Sequence, residues 1–396
     1  MTNERPKVAP FNLPAVIGRE IQYINEVLAG DHVSGNGRFT ELVHGELERM
    51  LGGGRALLTT SCSTALDMAA ILSEVGPGDE VIMPSYTFTS TANAVVLRGA
   101  TPVFVDIRPD TLNIDERLIE EAVTPRTKAI MVVHYAGVGC EMDAILAVAA
   151  KHSLVVIEDA AQAICATWRG QPLGRQGALS AFSFHETKNI ISGEGGALVV
   201  NRDELVERAE IIWEKGTNRV KFKRGEISKY NWVDVGGSYL PSELTAAFLY
   251  AQLQCADKAI GTRLLFWERY YAAFKEAEDS ELCRRPYCPP YCAHNGHIFY
   301  LLAPTAKVRE RWLTEFRAAG INAPFHYVPL HSAPAGQRFG RTAGTLSVTD
   351  SVASRLVRLP LHLHLSEAQQ DYIIDRTIAI IAGKNTRPVV GRAAQL

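Results

Sequence analysis

The chain has 396 residues, a length that at roughly 150 residues per domain predicts two or three domains. Its 43 acidic and 41 basic residues give a formal net charge of −2, so it lacks the basic excess typical of nucleic-acid and anionic-membrane binders. With 47% hydrophobic and 21% charged residues, it has the composition of a folded globular protein rather than a disordered or fibrous one.

The sequence carries no signal for export or membrane insertion. No apolar run approaches the ~20 residues that span a bilayer, and the polar residues 1–7 lead into no apolar signal segment. We therefore expect a cytoplasmic protein. Seven cysteines are few for this length, and their odd number favours free thiols over a disulfide framework.

Between residues 55 and 200, short β-branched runs alternate with longer segments of helical periodicity, which predicts an α/β fold. The predicted strands are 55–59, 80–84, 102–106, 129–133, 154–158, 180–184 and 196–200. Ligands bind at the carboxyl ends of parallel strands, so one pocket should collect several side chains that follow these strands. They are Ser61, Tyr86, Phe88, His134 and Asp159.

Beyond residue 202 the pattern becomes mainly helical. It predicts long helices over 203–215 and 241–278, a strand over 297–302, and helices over 309–319, 349–358 and 366–381. These elements indicate a smaller α+β domain after a boundary near residue 255, with 1–255 as the large domain and 256–385 as the small one. Residues 386–396 should form a frayed tail.

The most informative segment is Ser183-Phe-His-Glu-Thr-Lys188, followed by Gly193-Glu-Gly-Gly196. A lysine just past a strand end, with glycines that let the backbone turn tightly, can bond covalently to an aldehyde. Taken alone, such a lysine is more often a solvated surface charge. Asp159 changes that interpretation. It lies at the end of a predicted hydrophobic strand, in the segment Ile157-Glu-Asp-Ala-Ala-Gln162.

Pyridoxal phosphate chemistry needs a lysine that bonds the cofactor aldehyde and a carboxylate that keeps the pyridine nitrogen protonated. Lys188 and Asp159 fit these two roles. Asp159 can also be a helix N-cap, and the two interpretations are compatible.

The cofactor phosphate needs hydroxyls and backbone N–H groups at a helix N-terminus. Thr59-Thr-Ser-Cys-Ser-Thr64 offers a hydroxyl cluster before an apolar helix, although hydroxyl-rich helix starts are common. Phe88, just past a strand end, can pack flat against the ring, and plain core packing explains it equally well.

These motifs occur in the order found in the DegT–DnrJ family of sugar-nucleotide aminotransferases, which the sequence resembles over nearly its whole length. The likeness runs from Gly18-Arg-Glu-Ile-Gln to Arg358-Leu-Pro-Leu and includes Pro84-Ser-Tyr-Thr-Phe, His134-Tyr-Ala-Gly and Tyr327-Val-Pro-Leu-His331. It implies the aspartate-aminotransferase fold type I, with a mainly parallel sheet in the large domain. It also implies pyridoxal 5'-phosphate as cofactor and a homodimer with shared active sites.

Three segments are most similar to the family branch that aminates C4 of dTDP-4-keto-6-deoxyglucose, with L-glutamate as amino donor. They are His185-Glu-Thr-Lys-Asn, Glu214-Lys-Gly-Thr-Asn-Arg219 and Phe325-His-Tyr-Val-Pro-Leu-His331. Two alternatives share the fold. One is an aminotransferase acting on a 3-keto sugar nucleotide, and the other is a sugar dehydratase, in which histidine typically replaces the lysine; the presence of Lys188 favours amino transfer.

By position, the resemblance assigns Lys188 to the covalent bond and proton transfer, and Asp159 to the pyridine nitrogen. Gln162 would contact the phenolic oxygen of the ring, and Phe88 would stack on the ring. The residues implied to hold the phosphate are Cys62, Ser63 and Ser183, and Ser61 is a further candidate cofactor-binding residue. The implied substrate contacts are His185, Tyr327 and His331, although both histidines can equally be satisfied structural residues.

The sequence departs from the family pattern at two places. Ser61-Cys-Ser63 stands where Asn-Gly-Thr is common, so the phosphate site must tolerate a Cβ at Cys62. Ser238 stands where many members have an asparagine that reaches the neighbouring subunit's cofactor, which puts the identity of that contact in doubt.

Other classes of protein fit less well. The cluster Cys283, Cys288, Cys292, His294 and His297 lacks tight CxxC pairs and is interrupted by prolines, so we expect no metal site. A nicotinamide-dependent oxidoreductase needs a GxGxxG turn after its first strand, which Ser61-Cys-Ser-Thr does not provide. A regulatory protein that kept the fold and lost the chemistry is the non-enzymatic alternative.

Overall fold

The computed structural model describes residues 9–384 of the chain. Its helices are α1 (Glu20–Ala29), α2 (Arg38–Leu51), α3 (Cys62–Leu72), α4 (Thr89–Val96), α5 (Ile119–Ala122), α6 (Met142–His152), α7 (Asp203–Trp213), α8 (Arg219–Lys223), α9 (Glu243–Gln254), α10 (Ala256–Ala273), α11 (Lys275–Asp279), α12 (Ala306–Ala318), α13 (Pro334–Phe339), α14 (Ser347–Arg355) and α15 (Glu367–Ile381). Its strands are β1 (Arg55–Thr59), β2 (Glu80–Pro84), β3 (Thr101–Val105), β4 (Thr127–Val133), β5 (Val155–Asp159), β6 (Thr167–Trp168), β7 (Gln171–Pro172), β8 (Leu179–Ser183), β9 (Gly196–Val200), β10 (Cys292–Ala293), β11 (Phe299–Leu302), β12 (Arg341–Thr342) and β13 (Leu356–Leu359).

An eight-stranded sheet forms the centre of the molecule, in the order β1-β9-β8-β5-β4-β2-β3-β12. β9 runs antiparallel to its neighbours β1 and β8, whereas the other adjacent pairs are parallel. The carboxyl ends of β2, β4, β5 and β8 therefore share one edge of the sheet. The seven predicted strands are all present to within two residues at either end, which confirms the α/β fold.

Helices cover both faces of this sheet. In β4, Ile130 and Val132 pack into a buried cluster with α1, α2 and α6, while Ala129 and Met131 pack into a second cluster with α3 and α7. Because successive side chains of a strand point to opposite faces, a strand covered on both faces is apolar along its whole length. The predicted strands are continuous apolar runs for this reason.

The C-terminal part of the chain has a core of its own. Helices α10, α12 and α15 pack against the antiparallel pair β11 and β13, around the buried side chains of Trp312, Phe316 and Phe299. Strand β12 nevertheless pairs with β3 in the large sheet, so a segment beyond residue 255 contributes to the large sheet. The division at residue 255 stays a prediction.

Two predicted helices were wrong in their extent. The helix over 241–278 is divided into α9, α10 and α11, because the backbone leaves the helical region at Cys255 (φ −106°, ψ 12°) and Phe274 (φ −97°, ψ 11°). The helix over 349–358 ends early, because Leu356 begins β13 and pairs with Leu302. Sequence reasoning did not predict α1 and α2, and its expectations for residues 1–7 and 386–396 lie outside the described residues.

Residues 9–384 contain neither a membrane-spanning helix nor a candidate metal cluster. None of the described helices is long and apolar enough to cross a membrane. Among the described residues, which include the Cys/His cluster, no group of three or more His, Cys, Asp or Glu could hold a metal ion.

Candidate active site

A cavity of about 630 Å³ opens at the carboxyl edge of the large sheet, where the C-terminal unit meets the turns after β5 and β8. Ten of the predicted site residues line it: Ser61, Cys62, Ser63, Phe88, Asp159, Gln162, Ser183, His185, Lys188 and Tyr327. Nine of them come from the ends of four strands, β1, β2, β5 and β8, which the sheet topology brings to one place, and Tyr327 comes from the C-terminal unit.

The turn after β8 presents the lysine. Phe184 N donates to Gly195 O at 2.8 Å, Glu186 N to Gly193 O at 2.8 Å and Lys188 N to His185 O at 2.9 Å, so the chain folds back on its own glycine-rich continuation. Burial at the cavity wall lowers the pKa of Lys188. A buried amine is more readily neutral than an exposed one, and the neutral amine is the form that acts as nucleophile or base.

Asp159 ends β5 and is buried, with 4% of its surface exposed. Its Oδ2 accepts a hydrogen bond from Thr91 Oγ1 at 2.7 Å, and its Oδ1 accepts one from Ala161 N at 3.1 Å. Burial raises the pKa of Asp159, while these donors and nearby Lys188 act in the opposite direction. The carboxylate is thus rigidly held and can accept from a protonated nitrogen in the cavity.

Gln162 is fixed at both ends of its amide. Its Oε1 accepts from Ala136 N at 2.7 Å, and its Nε2 donates to Tyr327 Oη at 3.0 Å. Tyr327 comes from the C-terminal unit, and its ring centroid lies 6.4 Å from that of Phe88. Phe88, with 58% of its surface exposed, provides an apolar wall against which a flat ring can pack.

The N-terminus of α3 provides an anion site. Ser61 caps the helix: its Oγ accepts from Thr64 N at 3.2 Å, and Thr64 Oγ1 accepts from Ser61 N at 3.1 Å. The backbone N–H groups of Cys62 and Ser63 meet no acceptor among residues 9–384, and the hydroxyls of Ser63 and Ser183 line the same end of the cavity. Free N–H groups at a helix N-terminus, together with hydroxyls, suit a phosphate.

Cys62 is compatible with that anion site. Its side chain is buried, and burial raises the pKa of its thiol well above the ordinary value, so the side chain is neutral and does not repel an anion. The backbone of strand β9 packs closely against this helix start at Gly196. A Cβ on Gly196 would lie 2.3 Å from Cys62 N and 2.5 Å from Ser61 O.

These residues fit pyridoxal phosphate. The group needs an amine, an acid for its ring nitrogen, a partner for its phenolic oxygen and a neutral phosphate site. Lys188, Asp159, Gln162 and the start of α3 line one cavity and have the groups that would meet these needs.

Other predicted residues lie outside the cavity lining. His331 Nδ1 bonds to Ser85 Oγ at 2.8 Å, and its Nε2 lies 3.4 Å from Asp350, so it connects the C-terminal unit to the end of β2. Ser238 is exposed on the segment that pairs with Glu214.

Two members of the pocket predicted from the strand ends were wrong. His134 is fully buried, and its Nε2 bonds to Glu158 Oε2 at 2.8 Å. Tyr86 is also buried and packs against Tyr135, with ring centroids 5.3 Å apart. Both follow a strand end, but their side chains turn into the core.

Sequence reasoning missed several residues at the site. Thr91 holds Asp159, and Arg358 lines the cavity, where its guanidinium stacks over Phe11 at 4.4 Å and its Nη2 donates to Phe325 O at 3.0 Å. Arg358 stands in a motif that carries the family resemblance, and an arginine within an apolar strand was the available signal. His297 was weighed only as a zinc ligand, although it too lines the cavity.

Comparison with known proteins gives the family of the chain. The DegT/DnrJ/EryC1/StrS aminotransferase family matches residues 14–377. The chain is 34% identical over 391 residues to the spore coat polysaccharide biosynthesis protein SpsC of Bacillus subtilis, covering 97% of this chain and 100% of that protein. It is 33% identical over 373 residues to GDP-perosamine synthase of Caulobacter vibrioides, covering 93% and 96%.

Solved structures agree with these sequence matches. The putative sugar aminotransferase Spr1654 of Streptococcus pneumoniae in its PLP-form has a TM-score of 0.87 at 25% identity and covers 96% of this chain and 100% of its own. Its PMP-form has a TM-score of 0.88 at 25% identity, covering 95% and 98%. These matches confirm fold type I and the pyridoxal phosphate cofactor. The chain belongs to the DegT/DnrJ/EryC1/StrS aminotransferase family and is a pyridoxal phosphate-dependent sugar aminotransferase.

Proposed function

We propose that the enzyme transfers the amino group of L-glutamate to C4 of dTDP-4-keto-6-deoxyglucose, as a dTDP-4-amino-4,6-dideoxygalactose transaminase does. The observation that carries amino transfer is that Lys188 and Asp159 face one cavity, beside the anion site at the start of α3. The choice of C4 and of the dTDP carrier is supported by the likeness of the segments around His185, Arg219 and His331 to that branch of the family.

The residues of the chain divide the work of the reaction. Pyridoxal phosphate, when bound, supplies an aldehyde carbon that carries the amino group and a ring that accepts the electron pair released at the donor's α-carbon. Asp159 holds a proton at the ring nitrogen by accepting a hydrogen bond from it. Lys188 Nζ takes a proton from the α-carbon of the donor, and in the second stage it delivers one to C4 of the sugar.

Other cavity residues select and orient the substrates. Arg358 offers a cation to an anionic group of a bound substrate. No acidic side chain of the described cavity forms an ion pair with it. Tyr327 from the C-terminal unit and His185 from the β8 turn line the cavity and would contact the substrate. His331 acts indirectly in this proposal, since its contacts with Ser85 and Asp350 hold the loop that carries Tyr327.

We place the enzyme in the cytoplasm as a homodimer in which Ser238 of each chain contributes to the other chain's cofactor site. Its exposed position on the chain surface is compatible with that role.

A single incubation tests the function. The purified holoenzyme is given L-glutamate and dTDP-4-keto-6-deoxyglucose, and NMR of the product reads both the aminated carbon and its configuration. Formation of a dTDP-4-amino-4,6-dideoxyhexose supports the proposal. Amination at C3 or loss of water without amination would contradict it, and parallel reactions with GDP- and UDP-linked substrates test the carrier, since the Caulobacter relative is named for a GDP-linked amino sugar.

A further inference from the structure

One short turn of the C-terminal unit, residues 295–297, contacts the backbone on both sides of the active site. The turn precedes β11 and is buried: Asn295 is 0% exposed and His297 is 7% exposed. It belongs to the Cys/His-rich stretch that sequence reasoning weighed only as a metal site. This stretch has a different role in the described structure. Asn295 and His297 form hydrogen bonds to the two loops that are proposed to contact the cofactor.

Asn295 holds the loop that carries Gln162. Its Nδ2 donates to Gln162 O and to Ile164 O, each at 2.8 Å, while its Oδ1 accepts from His297 N at 3.1 Å. The contact is close: a Cβ on Gly137, which has φ +77°, would lie 2.2 Å from Asn295 Oδ1. The backbone of Gln162 is therefore fixed from the C-terminal side of the site.

Asn189 ties the neighbouring residue, Lys188, to the same turn. The Asn189 side chain is 3% exposed; its Nδ2 donates to Asn295 O at 2.8 Å, and its Oδ1 accepts from His297 Nδ1 at 3.0 Å. The proton of the imidazole thus resides on Nδ1. Burial lowers the pKa of His297, so the ring is neutral and keeps this tautomer.

The turn is itself held by α10. Arg263 Nε donates to Gly296 O at 3.1 Å, and its Nη2 donates to His297 O at 2.6 Å. Gly296 has φ +61°, a left-handed backbone that favours glycine, and a Cβ there would lie 3.1 Å from the Arg263 backbone. The turn is therefore a rigid platform rather than a loose loop.

We propose that Asn189, Asn295 and His297 form a positioning clamp that fixes Lys188 relative to Gln162. Lys188 and Gln162 follow different strands, β8 and β5, so each turn could move independently without a shared anchor. A misplacement of about 1 Å in an active site can cost about 10²-fold in rate. Asn189 and Asn295 lie behind the cavity wall and act only through these two residues; the clamp rests on the roles proposed above for Lys188 and Gln162.

Paired variants of His297 provide the test. In His297→Asn the amide nitrogen occupies the place of Nδ1 and keeps the bond to Asn189, whereas His297→Gln places its amide near Nε2 and loses that bond. Asn189→Leu removes both side-chain bonds at similar size. The readouts on the holoenzyme are the pH titration of the lysine–cofactor absorbance, the single-turnover rate with L-glutamate and the glutamate concentration for half-saturation.

We expect His297→Gln and Asn189→Leu to lower the single-turnover rate about 10- to 100-fold, with half-saturation changed less than about 3-fold. Both variants should also shift the pH titration of the lysine–cofactor absorbance. The single-turnover rate of His297→Asn should stay within about 3-fold of the wild-type rate. Equal effects of the two His297 variants would overturn the clamp. So would a lowered unfolding temperature with wild-type rate and titration.

Two further outcomes are distinguishable. If the wild type titrates normally but does not react with glutamate, the proposed donor is wrong, and the absorbance titration still decides the clamp. If Asn189→Leu does not fold, Asn189→Asp replaces it. That variant keeps the acceptor for His297 and loses the donor to Asn295 O, and wild-type titration in it would contradict the proposal.

Discussion

Burial shifts the pKa values of Lys188 and Asp159 in opposite directions. Desolvation lowers the pKa of the amine and raises that of the carboxyl, because in each case it disfavours the charged form. For Lys188 this favours the neutral amine needed for nucleophilic attack. For Asp159 the pKa is raised, and the donors Thr91 and Ala161 act against that shift by bonding to the carboxylate.

Replacing Lys188 with alanine should abolish amino transfer while the protein remains folded, because the variant lacks the amine that is proposed to bond the cofactor aldehyde. The measurement is steady-state turnover, with borohydride trapping of the cofactor on the chain and circular dichroism as the control for folding. Lys258→Ala, an exposed lysine on α10, is the matched control and should leave turnover and trapping unchanged. Wild-type turnover in the Lys188→Ala variant would remove the lysine from the proposed role.

Sequence reasoning predicted the candidate cofactor residues more readily than the residues that hold them in place. Lys188 and Asp159 are recognisable because their chemistry is specific and each follows an apolar strand. Asn189 and Asn295 carry no comparable signal: amides are common, and their pairing joins positions far apart in the chain. His134 and Tyr86 show the converse error, since a position after a strand end does not determine whether a side chain turns to the cavity or to the core.

At the scale of elements, the anion site depends on the contact between the start of α3 and β9. Gly196→Ala should weaken binding of pyridoxal phosphate about tenfold or more, equivalent to about 1.4 kcal/mol, because its Cβ would displace Ser61 and Cys62. Cofactor titration of the apoprotein by absorbance measures this. Gly261→Ala, on α10 with open space around the new Cβ, is the control and should bind normally. Equal affinity in both variants would contradict the argument.

Strand β12 is attached to the large sheet by an ion-pair group around Glu80. Arg341 Nη2 and Arg126 Nη2 lie 2.7 and 2.5 Å from the Glu80 carboxylate, and Thr124 Oγ1 donates to it at 2.7 Å. Hydrogen bonds from Arg341 first, and then from Thr124 and Arg126, lower the pKa of Glu80 from 4.5 to about 2. A carboxyl with a depressed folded pKa stabilises the fold above its unfolded pKa, and this contribution disappears as the pH falls through the folded value.

The free energy of unfolding should therefore show a Glu80-dependent loss between pH 4.5 and about 2. Glu80→Gln should cost about 1–2 kcal/mol at neutral pH, a discounted figure because both arginines are partly exposed. Urea unfolding of wild type and variant at several pH values measures the difference. The two curves should converge at low pH, and a difference that does not change with pH would contradict the assignment.

Periodicity predicted the strands of the central sheet but not where helices break or which strands pair. The segment 241–278 is helical in pattern throughout, yet local backbone geometry at Cys255 and Phe274 divides it. β12 has two residues and joins the sheet through pairing with β3, so no pattern along the sequence could reveal it. Such features depend on tertiary contacts rather than on local preference.

At the scale of the whole molecule, the segment between α8 and α9 has the exposed apolar surface expected of a subunit interface. Trp232 is 81% exposed, Val233 51% and Val235 45%, a concentration of apolar surface that is unusual on a monomer. Ser238 follows in the same segment, which is anchored by Lys215 N donating to Gly237 O at 3.0 Å. A dimer formed here would cover the apolar side chains and bring Ser238 toward a second chain.

We expect the enzyme to elute at twice the chain mass and Trp232→Ser to shift it toward the monomer, measured by light scattering.

A mixed dimer tests whether sites are shared. One chain carries Ser238→Asp, which places a negative charge against the partner's phosphate, and the other carries Lys188→Ala. If Ser238 serves the partner's site, the mixture regains one complete site, with Lys188 from the first chain and Ser238 from the second. If it serves its own site, neither site is complete and the mixture is inactive; that result, or a monomeric active enzyme, would contradict the proposed assembly.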